Sequence, residues 1–264
     1  MRPELRRLRL ALYLARHLTS GIWKGHGFLV LALVDRLSPR RRERWAWLRL
    51  TLPSGERRRF YLGDFSQAQA LAEVLIHGDY DVTAGADVRT IVDLGANAGQ
   101  ASTLLRDRFP DALIVAVEPD PDTARLAARN LNRGTQTRVI AAAVTDHDGT
   151  TPFTRLGKWS WGSNVIAAWG SSGAPQVEVR SLRLGTLLDE QGIERVDLLK
   201  VDVEGAELMA LTSDNGLDRV RWVIGELHPS VLGMPAREAL AILQAHGRFP
   251  RAWMHGEFVF VLVR

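Results

Sequence analysis

Ile91-Val92-Asp93-Leu94-Gly95-Ala96-Asn97-Ala98-Gly99-Gln100 decides how the chain is read. It has the pattern of a buried strand ending in a carboxylate, a turn of small residues, and a helix opening at Ala98. Gly95 and Gly99 are expected to let a ligand approach the main chain where a side chain would block it. The N–H groups of the turn and the helix N-terminus suit a polar, partly anionic group. The next apolar run, Leu113 to Val117, leads into Glu118, a carboxylate placed to grip ribose hydroxyls. Together these features imply a nucleoside cofactor.

The turn narrows the choice of nucleoside. A dinucleotide fingerprint aligned on Gly95 requires glycine where this chain has Asn97 and Gln100. There is also no Gly-Lys-Ser/Thr to hold a triphosphate. Asp-x-Gly-x-x-x-Gly instead resembles the first motif of S-adenosylmethionine (SAM) methyltransferases. That cofactor has no pyrophosphate, so its turn can keep an asparagine. Taken alone, the stretch is also compatible with an ordinary strand–turn–helix corner.

From Thr90 onward apolar strands and helical segments alternate, which predicts an α/β fold with a mostly parallel sheet and helices on both faces. Strands are expected at 90–94, 113–118, 138–144, 196–202 and 221–227, with helices near 98–108, 121–132, 184–191, 205–212 and 235–246. Two last strands, 250–255 and 258–263, predict an antiparallel edge. Ligands of such sheets sit beyond the carboxyl ends of the strands, where strand order reverses. That places Asp93, Glu118, Val144 to Asp146, Asp202 to Gly205 and Glu226 to His228 at the rim.

Residues 1–77 read as a basic N-terminal extension, helical first and then a hairpin, before a main domain at 78–264. Helical spacing runs over Leu5 to Leu18 and Phe28 to Leu37, and strands over Trp45 to Leu52 and Arg57 to Leu62 flank a Pro-Ser-Gly turn. A helix over Ser66 to Ile76 is expected to cover the cofactor cleft. Residues 1–44 hold eleven Lys/Arg and three Asp/Glu, so an arm of net +8 precedes a body of −4. Such an arm is either a solvated helix face or a surface for anionic lipid headgroups, nucleic acid or an acidic partner. Nucleic acid is the weakest of these, because no aromatic RNA-binding motif or zinc pattern accompanies the charge.

With 46% apolar and 24% charged residues the composition is that of a soluble domain, and the absence of cysteine excludes disulfides and thiolate catalysis. No apolar run near the N-terminus is long enough to span a bilayer. A cytoplasmic setting is therefore expected, with the basic arm available for peripheral contact with an anionic inner membrane face. Between the third and fourth main strands, residues 145–184 form a lid-like insertion with Trp159, Trp161 and Trp169, which suit either packing or a platform for a sugar or apolar acceptor.

A second stretch, Asp197-Leu198-Leu199-Lys200-Val201-Asp202-Val203-Glu204-Gly205-Ala206-Glu207, runs a lysine-bearing strand into a carboxylate cluster. Glu204 and Glu207 are explained by the dipole of the helix they open. The combination of Lys200, Asp202 and Glu204 at the rim is not. Trp222 to Pro229 then ends the next strand with Glu226 and His228.

IVDLGANAGQ, AVEPDP, the SWGSN loop, DLLKVDVEGAELMAL and IGELHP, taken in order, resemble the FkbM-type family of SAM-dependent methyltransferases over residues 78–228. Where that family often has Gly-x-Tyr-Glu, this chain has Gly78-Asp79-Tyr80-Asp81. The resemblance implies a class I, Rossmann-like SAM-methyltransferase fold and methylation of a hydroxyl on a sugar, glycolipid or other natural product. Asp93, Gly95, Asn97, Gly99 and Glu118 would then bind SAM, Ala143 and Val144 would flank adenine, and Asp202 would face the methyl group and the acceptor.

An alcohol is a weak nucleophile at neutral pH and needs a base or a metal. Asp202 is the leading base and His228 its rival, the latter because its ordinary pKa lies nearer neutrality. Alternatively, Asp202, Glu226 and His228 converge on a divalent cation such as Mg²⁺ or Mn²⁺. Lys200 reads as a partner for a neighbouring carboxylate. Two other functions compete: a catalytically silent SAM-fold binding module, which could dispense with the acidic rim, and an NAD-dependent oxidoreductase, which Asn97 and Gln100 disfavour. Acceptor identity and oligomeric state leave no trace in the sequence.

Overall fold

The computed structural model describes residues 46–74, 80, 87–132, 136–155 and 175–264. The expectations for the N-terminal helices, for most of Gly78 to Asp81 and for the three insertion tryptophans lie outside these residues. The chain order is β1 (Ala46–Thr51), β2 (Arg57–Leu62), α1 (Phe65–Ala72), β3 (Thr90–Leu94), α2 (Gln100–Arg108), β4 (Leu113–Val117), α3 (Pro121–Leu131) and β5 (Thr137–Ile140). It continues through β6 (Ala143–Val144), β7 (Gly149–Thr154), β8 (Gln176–Leu182), α4 (Leu184–Glu190), β9 (Val196–Val201), α5 (Glu207–Thr212) and β10 (Val220–Glu226). Helices α6 (Pro229–Leu232) and α7 (Ala236–His246) and strands β11 (Arg251–His255) and β12 (Val259–Val263) complete it.

A seven-stranded sheet in the order β11-β12-β10-β9-β3-β4-β5 forms the frame. Strands β5, β4, β3, β9 and β10 pair in parallel, while β12 runs antiparallel to both β10 and β11. The antiparallel strand is thus one place in from the edge, and β11 is the edge strand. This is the strand order of the class I SAM-methyltransferase fold. The chain moves outward from β3 through β4 to β5, then returns to the other side of β3 as β9, so order reverses between β3 and β9. Their carboxyl ends carry the turn at Gly95 and the segment from Asp202.

Each face of the sheet is sealed by one helical layer. Leu187, Leu211, Leu240 and Leu243 pack with Val92, Leu199 and Val223 on one face; Leu105, Ala101, Val74 and Tyr80 pack with Ile91, Ile114, Leu198 and Ile224 on the other. The near-continuous apolar strands follow from burial on both faces. The third expected strand, 138–144, is broken. β5 stops at Ile140, and Ala143–Val144 joins a separate three-stranded sheet, β6-β8-β7, because β8 of the insertion captures its end. The flanks of the insertion are therefore ordered: β7 and β8 pair antiparallel from Gly149↔Ser181 to Thr154↔Gln176.

The hairpin β1–β2 follows the expected alternation, with Arg58, Phe60 and Leu62 inward and Arg57 and Arg59 outward. It is tied to α3 through Asn130. That side chain accepts from the Tyr61 amide at 2.7 Å and donates to the Tyr61 carbonyl at 2.9 Å and to the Ala98 carbonyl at 2.8 Å. Among the described residues no helix is long and apolar enough to cross a membrane.

Candidate active site

The turn after β3 is held from both sides. The Gly95 and Ala96 amides donate to the Val117 carbonyl at 3.0 and 2.9 Å, and the Asp202 amide donates to the Leu94 carbonyl at 3.1 Å. Gly95 (φ 75°) and Gly99 (φ 85°) both occupy left-handed backbone. A Cβ on Gly95 would lie 1.7 Å from the Asp202 carbonyl oxygen, and one on Gly99 would lie 3.1 Å from Leu131 Cγ. Glycine at 95 thus lets two strand tips close on each other. Helix α2 begins at Gln100, with Gly99 as its cap, two residues later than expected.

Asp93 is wholly buried. Its Oδ2 accepts from the Ser102 hydroxyl at 2.6 Å, and its Oδ1 lies 3.1 Å from Lys200 Nζ. Lys200, also buried, donates to the Gly95 carbonyl at 2.9 Å and stands 3.7 Å from Asp202 Oδ2. Burial alone would depress the ammonium pKa, but Asp93, Asp202 and Glu226 together outweigh it and hold the pKa above the ordinary lysine value. Lys200 is therefore a fixed cation stitching β3 and β9 under the turn, and Asp93 shapes the site from beneath.

Glu118 folds its carboxylate back onto the turn, accepting from the Asn97 amide at 2.9 Å and the Asp120 amide at 3.0 Å. Burial pushes its pKa up to about 7 even against those two amides. Ala143 packs on Phe153 and Val179, and Val144 lies in the main core.

Of the residues expected to act, the structure gathers Asn97, Asp202, Glu226 and His228 around one cavity of about 270 Å³, together with Glu204. Helix α1 and the residues after it close one side with Ser66, Gln69 and Glu73, and Tyr80 completes the wall, as expected of a helix covering the cleft. Asp93, Glu118, Ala143 and Val144 are not part of that lining.

His228 immediately precedes α6 and is oriented by Glu207, a residue that the sequence assigns only to the helix dipole. Glu207, the first residue of α5, is fully buried; its Oε1 accepts from the Gly205 amide at 2.8 Å and lies 2.7 Å from His228 Nδ1. The other ring nitrogen, Nε2, stands 3.4 Å from Glu204 Oε2 and 3.9 Å from Asp202 Oδ1. Burial would lower the imidazole pKa, but Glu207, Glu204 and Asp202 raise it to about 9. Glu226 moves the same way for another reason: burial, then the negative charge of Asp202, push it up to about 8. One atom each from Asp202, Glu204 and His228 lie within 4.8 Å of one another, a spacing able to hold a cation. Glu204, not Glu226, completes that trio. Its backbone is left-handed (φ 55°) just before Gly205, and this turn lifts the carboxylate toward the imidazole.

The pocket suits SAM in one further respect. Asn97 Oδ1 is buried without a hydrogen-bond partner among the described residues, and the α-ammonium of SAM is a donor of the required kind.

The profile of the methyltransferase FkbM domain matches residues 93–250. Methyltransferase sdnD of Sordaria araneosa is 31% identical over 180 residues, an alignment covering 57% of this chain and 68% of sdnD. The 2-O-methyltransferase NoeI of Sinorhizobium fredii is 25% identical over 185 residues, covering 61% and 74%. The 31-O-demethyl-FK506 methyltransferase FkbM of Streptomyces tacrolimicus is 26% identical over 189 residues, covering 60% and 71%. The oxidoreductase and silent-module alternatives give way to this match, which agrees with the sheet order and the Asp93–Gln100 turn. The chain belongs to the FkbM-type family of SAM-dependent methyltransferases.

Proposed function

We propose that the chain methylates a hydroxyl group on a sugar, glycolipid or other small natural product. The observation carrying this reading is the convergence of Asp202, Glu204, Glu226 and His228 on the cavity that also contains Asn97 of the cofactor turn. Two relatives support the hydroxyl acceptor, since the names of NoeI and FkbM specify transfer to oxygen. SAM supplies, when bound, a methyl group on a positively charged sulfonium. Asp93, Gly95, Asn97, Gly99 and Glu118 would hold it, and Ala143 and Val144 would flank its adenine.

In this reading Asp202 hydrogen-bonds the acceptor hydroxyl and takes its proton, while Lys200 fixes the carboxylate from behind. Glu207 fixes the His228 ring, which faces Asp202 and balances the charge there. Holding the acceptor oxygen in line with the methyl carbon contributes heavily to the rate, because in-line displacement is steeply sensitive to alignment. Glu226, with its raised pKa, is a second proton carrier at the same rim.

A second arrangement is favoured by the Asp202–Glu204–His228 trio. Glu207 on Nδ1 leaves Nε2 to face the carboxylates, which is how an outer carboxylate prepares a histidine ligand for a metal. Mg²⁺ or Mn²⁺ held there would polarise the acceptor oxygen.

The deciding experiment incubates the purified chain with isotopically labelled SAM and a pool of hydroxylated glycans and natural products, with methylated products read by mass spectrometry. Asp202→Asn should lower turnover at least about 100-fold while SAM affinity by calorimetry changes less than about threefold. Equal loss of turnover and SAM binding would remove Asp202 from the chemistry. Methylation of nitrogen or carbon alone would overturn the hydroxyl assignment.

A further inference from the structure

A second cavity, of about 430 Å³, lies between the hairpin β1–β2 and α3, apart from the acidic pocket. Arg49, Arg57, Arg58, Arg59 and Arg129 line it with Tyr61, and no carboxylate is part of the described lining. Its hairpin half precedes the residues matched by the family profile.

This concentration of charge works against the fold. Arg49 sits directly across the ladder from Arg59, a like-charge pair that destabilises a hairpin. Arg58 is buried, which costs a cation its hydration, and it donates to the Asn130 carbonyl. The Arg59 guanidinium lies over the Trp47 ring at 4.6 Å and that of Arg129 over Tyr61 at 4.1 Å. These ring contacts, and the hydrogen bonds by which Arg129 and Arg59 lower the pKa of Tyr61, hold two guanidinium groups at the pocket, where the forked donors of arginine suit a tetrahedral anion. Arg129 also suits the last turn of α3 as a partner for the helix dipole, and Arg58 has the Asn130 carbonyl, but these account for two arginines of five.

We infer that this pocket binds a phosphate-bearing ligand, with Arg49, Arg57, Arg59 and Arg129 as its donors. Two sources share that chemistry: a soluble phosphate ester and a phospholipid headgroup. The second is consistent with the half-exposed Trp47 beside the pocket and with the net +8 of residues 1–44 leading into β1.

The test uses the full chain, inorganic pyrophosphate in calorimetry, and vesicles of phosphatidylcholine with or without phosphatidylglycerol in sedimentation. Arg49→Gln/Arg57→Gln is compared with Arg237→Gln/Arg251→Gln, which removes the same charge from exposed positions on α7 and β11. Saturable pyrophosphate binding weakened at least about tenfold by the first pair and less than about twofold by the second supports the pocket, with a soluble source. The same contrast confined to phosphatidylglycerol vesicles supports it with a lipid source. Binding of neither probe, or equal weakening by both pairs, overturns it, as does tighter binding of a single-stranded RNA than of either probe. Melting temperature is the second readout: relief of the Arg49–Arg59 repulsion should leave the first pair as stable as the parent chain or more so. A clear loss of stability would show the arginines to be structural and overturn the inference.

Discussion

Glu207 Oε1 lies 2.7 Å from His228 Nδ1, joining the first turn of α5 to the residue that opens α6. This contact crosses from the tip of β9 to the tip of β10 and sets which ring nitrogen faces Asp202 and Glu204. Glu207 is not part of the cavity lining and acts through His228, so it is a positioning residue. Glu207→Gln keeps the size and one acceptor but loses the charge. Turnover is expected to fall about 10- to 100-fold, the range for outer-shell partners, with SAM affinity unchanged. Steady-state kinetics beside SAM calorimetry check this. A Gln variant with parental kcat would reduce Glu207 to a helix cap.

The ion pair beneath the turn predicts an asymmetry. Lys200→Met would leave Asp93 wholly buried with only the Ser102 hydroxyl, and breaking a buried pair in this way costs about 3–5 kcal/mol. Lys200→Met combined with Asp93→Asn removes both charges and should recover part of that loss. Urea unfolding of the two variants decides. If the double variant is no more stable than the single, the pair is not what holds β3 to β9.

The strands and the turn were legible because both leave local marks: β-rich apolar runs bounded by Gly95 and Gly205, and carboxylates at each run's end. Three features were not, and each depends on distant pairing. The break after Ile140 arises because β8, some forty positions on, captures Ala143–Val144. Glu207 could not be told from a solvated helix-start acid, since its burial depends on where α6 lands. The need for glycine at 95 is set by a distant atom, the Asp202 carbonyl, that excludes a side chain there. Asp202, Glu226 and His228 line one cavity, as parallel sheets send their carboxyl ends to one edge.

That carbonyl makes the two turn glycines unequal. Gly95→Ala places a methyl against main chain that cannot rotate away, whereas Gly99→Ala meets the flexible end of Leu131. Both also carry the cost of a left-handed alanine, about 1–2 kcal/mol. Gly95→Ala should therefore lose the larger share of stability and most SAM binding, and Gly99→Ala clearly less. Thermal unfolding with and without SAM measures both effects. Equal losses would contradict the close contact between the β3 and β9 tips.

Chelation distinguishes the two arrangements of the reacting centre. If Asp202, Glu204 and His228 hold a cation, exhaustive chelation should abolish methyl transfer, Mn²⁺ or Mg²⁺ should restore it, and Glu204→Gln should raise the metal concentration required by at least about tenfold. If Asp202 alone serves as base, activity survives chelation and Glu204→Gln costs little. Metal analysis of the purified chain, set beside the rescue curve, reads out the difference.

Glu118 gives the fold a pH dependence of definite sign. Its folded pKa, about 7, lies above the ordinary carboxylate value of 4.5 because burial penalises the charged form. Between those values the unfolded chain has released this proton and the folded chain still holds it. Stability from this group therefore falls as pH rises from 4.5 to 7, by up to about 3 kcal/mol, and levels off above. Glu118→Gln cannot ionise and should lack this slope. It should also lose roughly 1 kcal/mol at low pH, because its amide turns an N–H toward either the Asn97 or the Asp120 amide. Urea unfolding at pH 5, 6, 7 and 8 for the two proteins tests the difference. Parallel curves would place the Glu118 titration at an ordinary carboxylate pH and remove its burial as the cause.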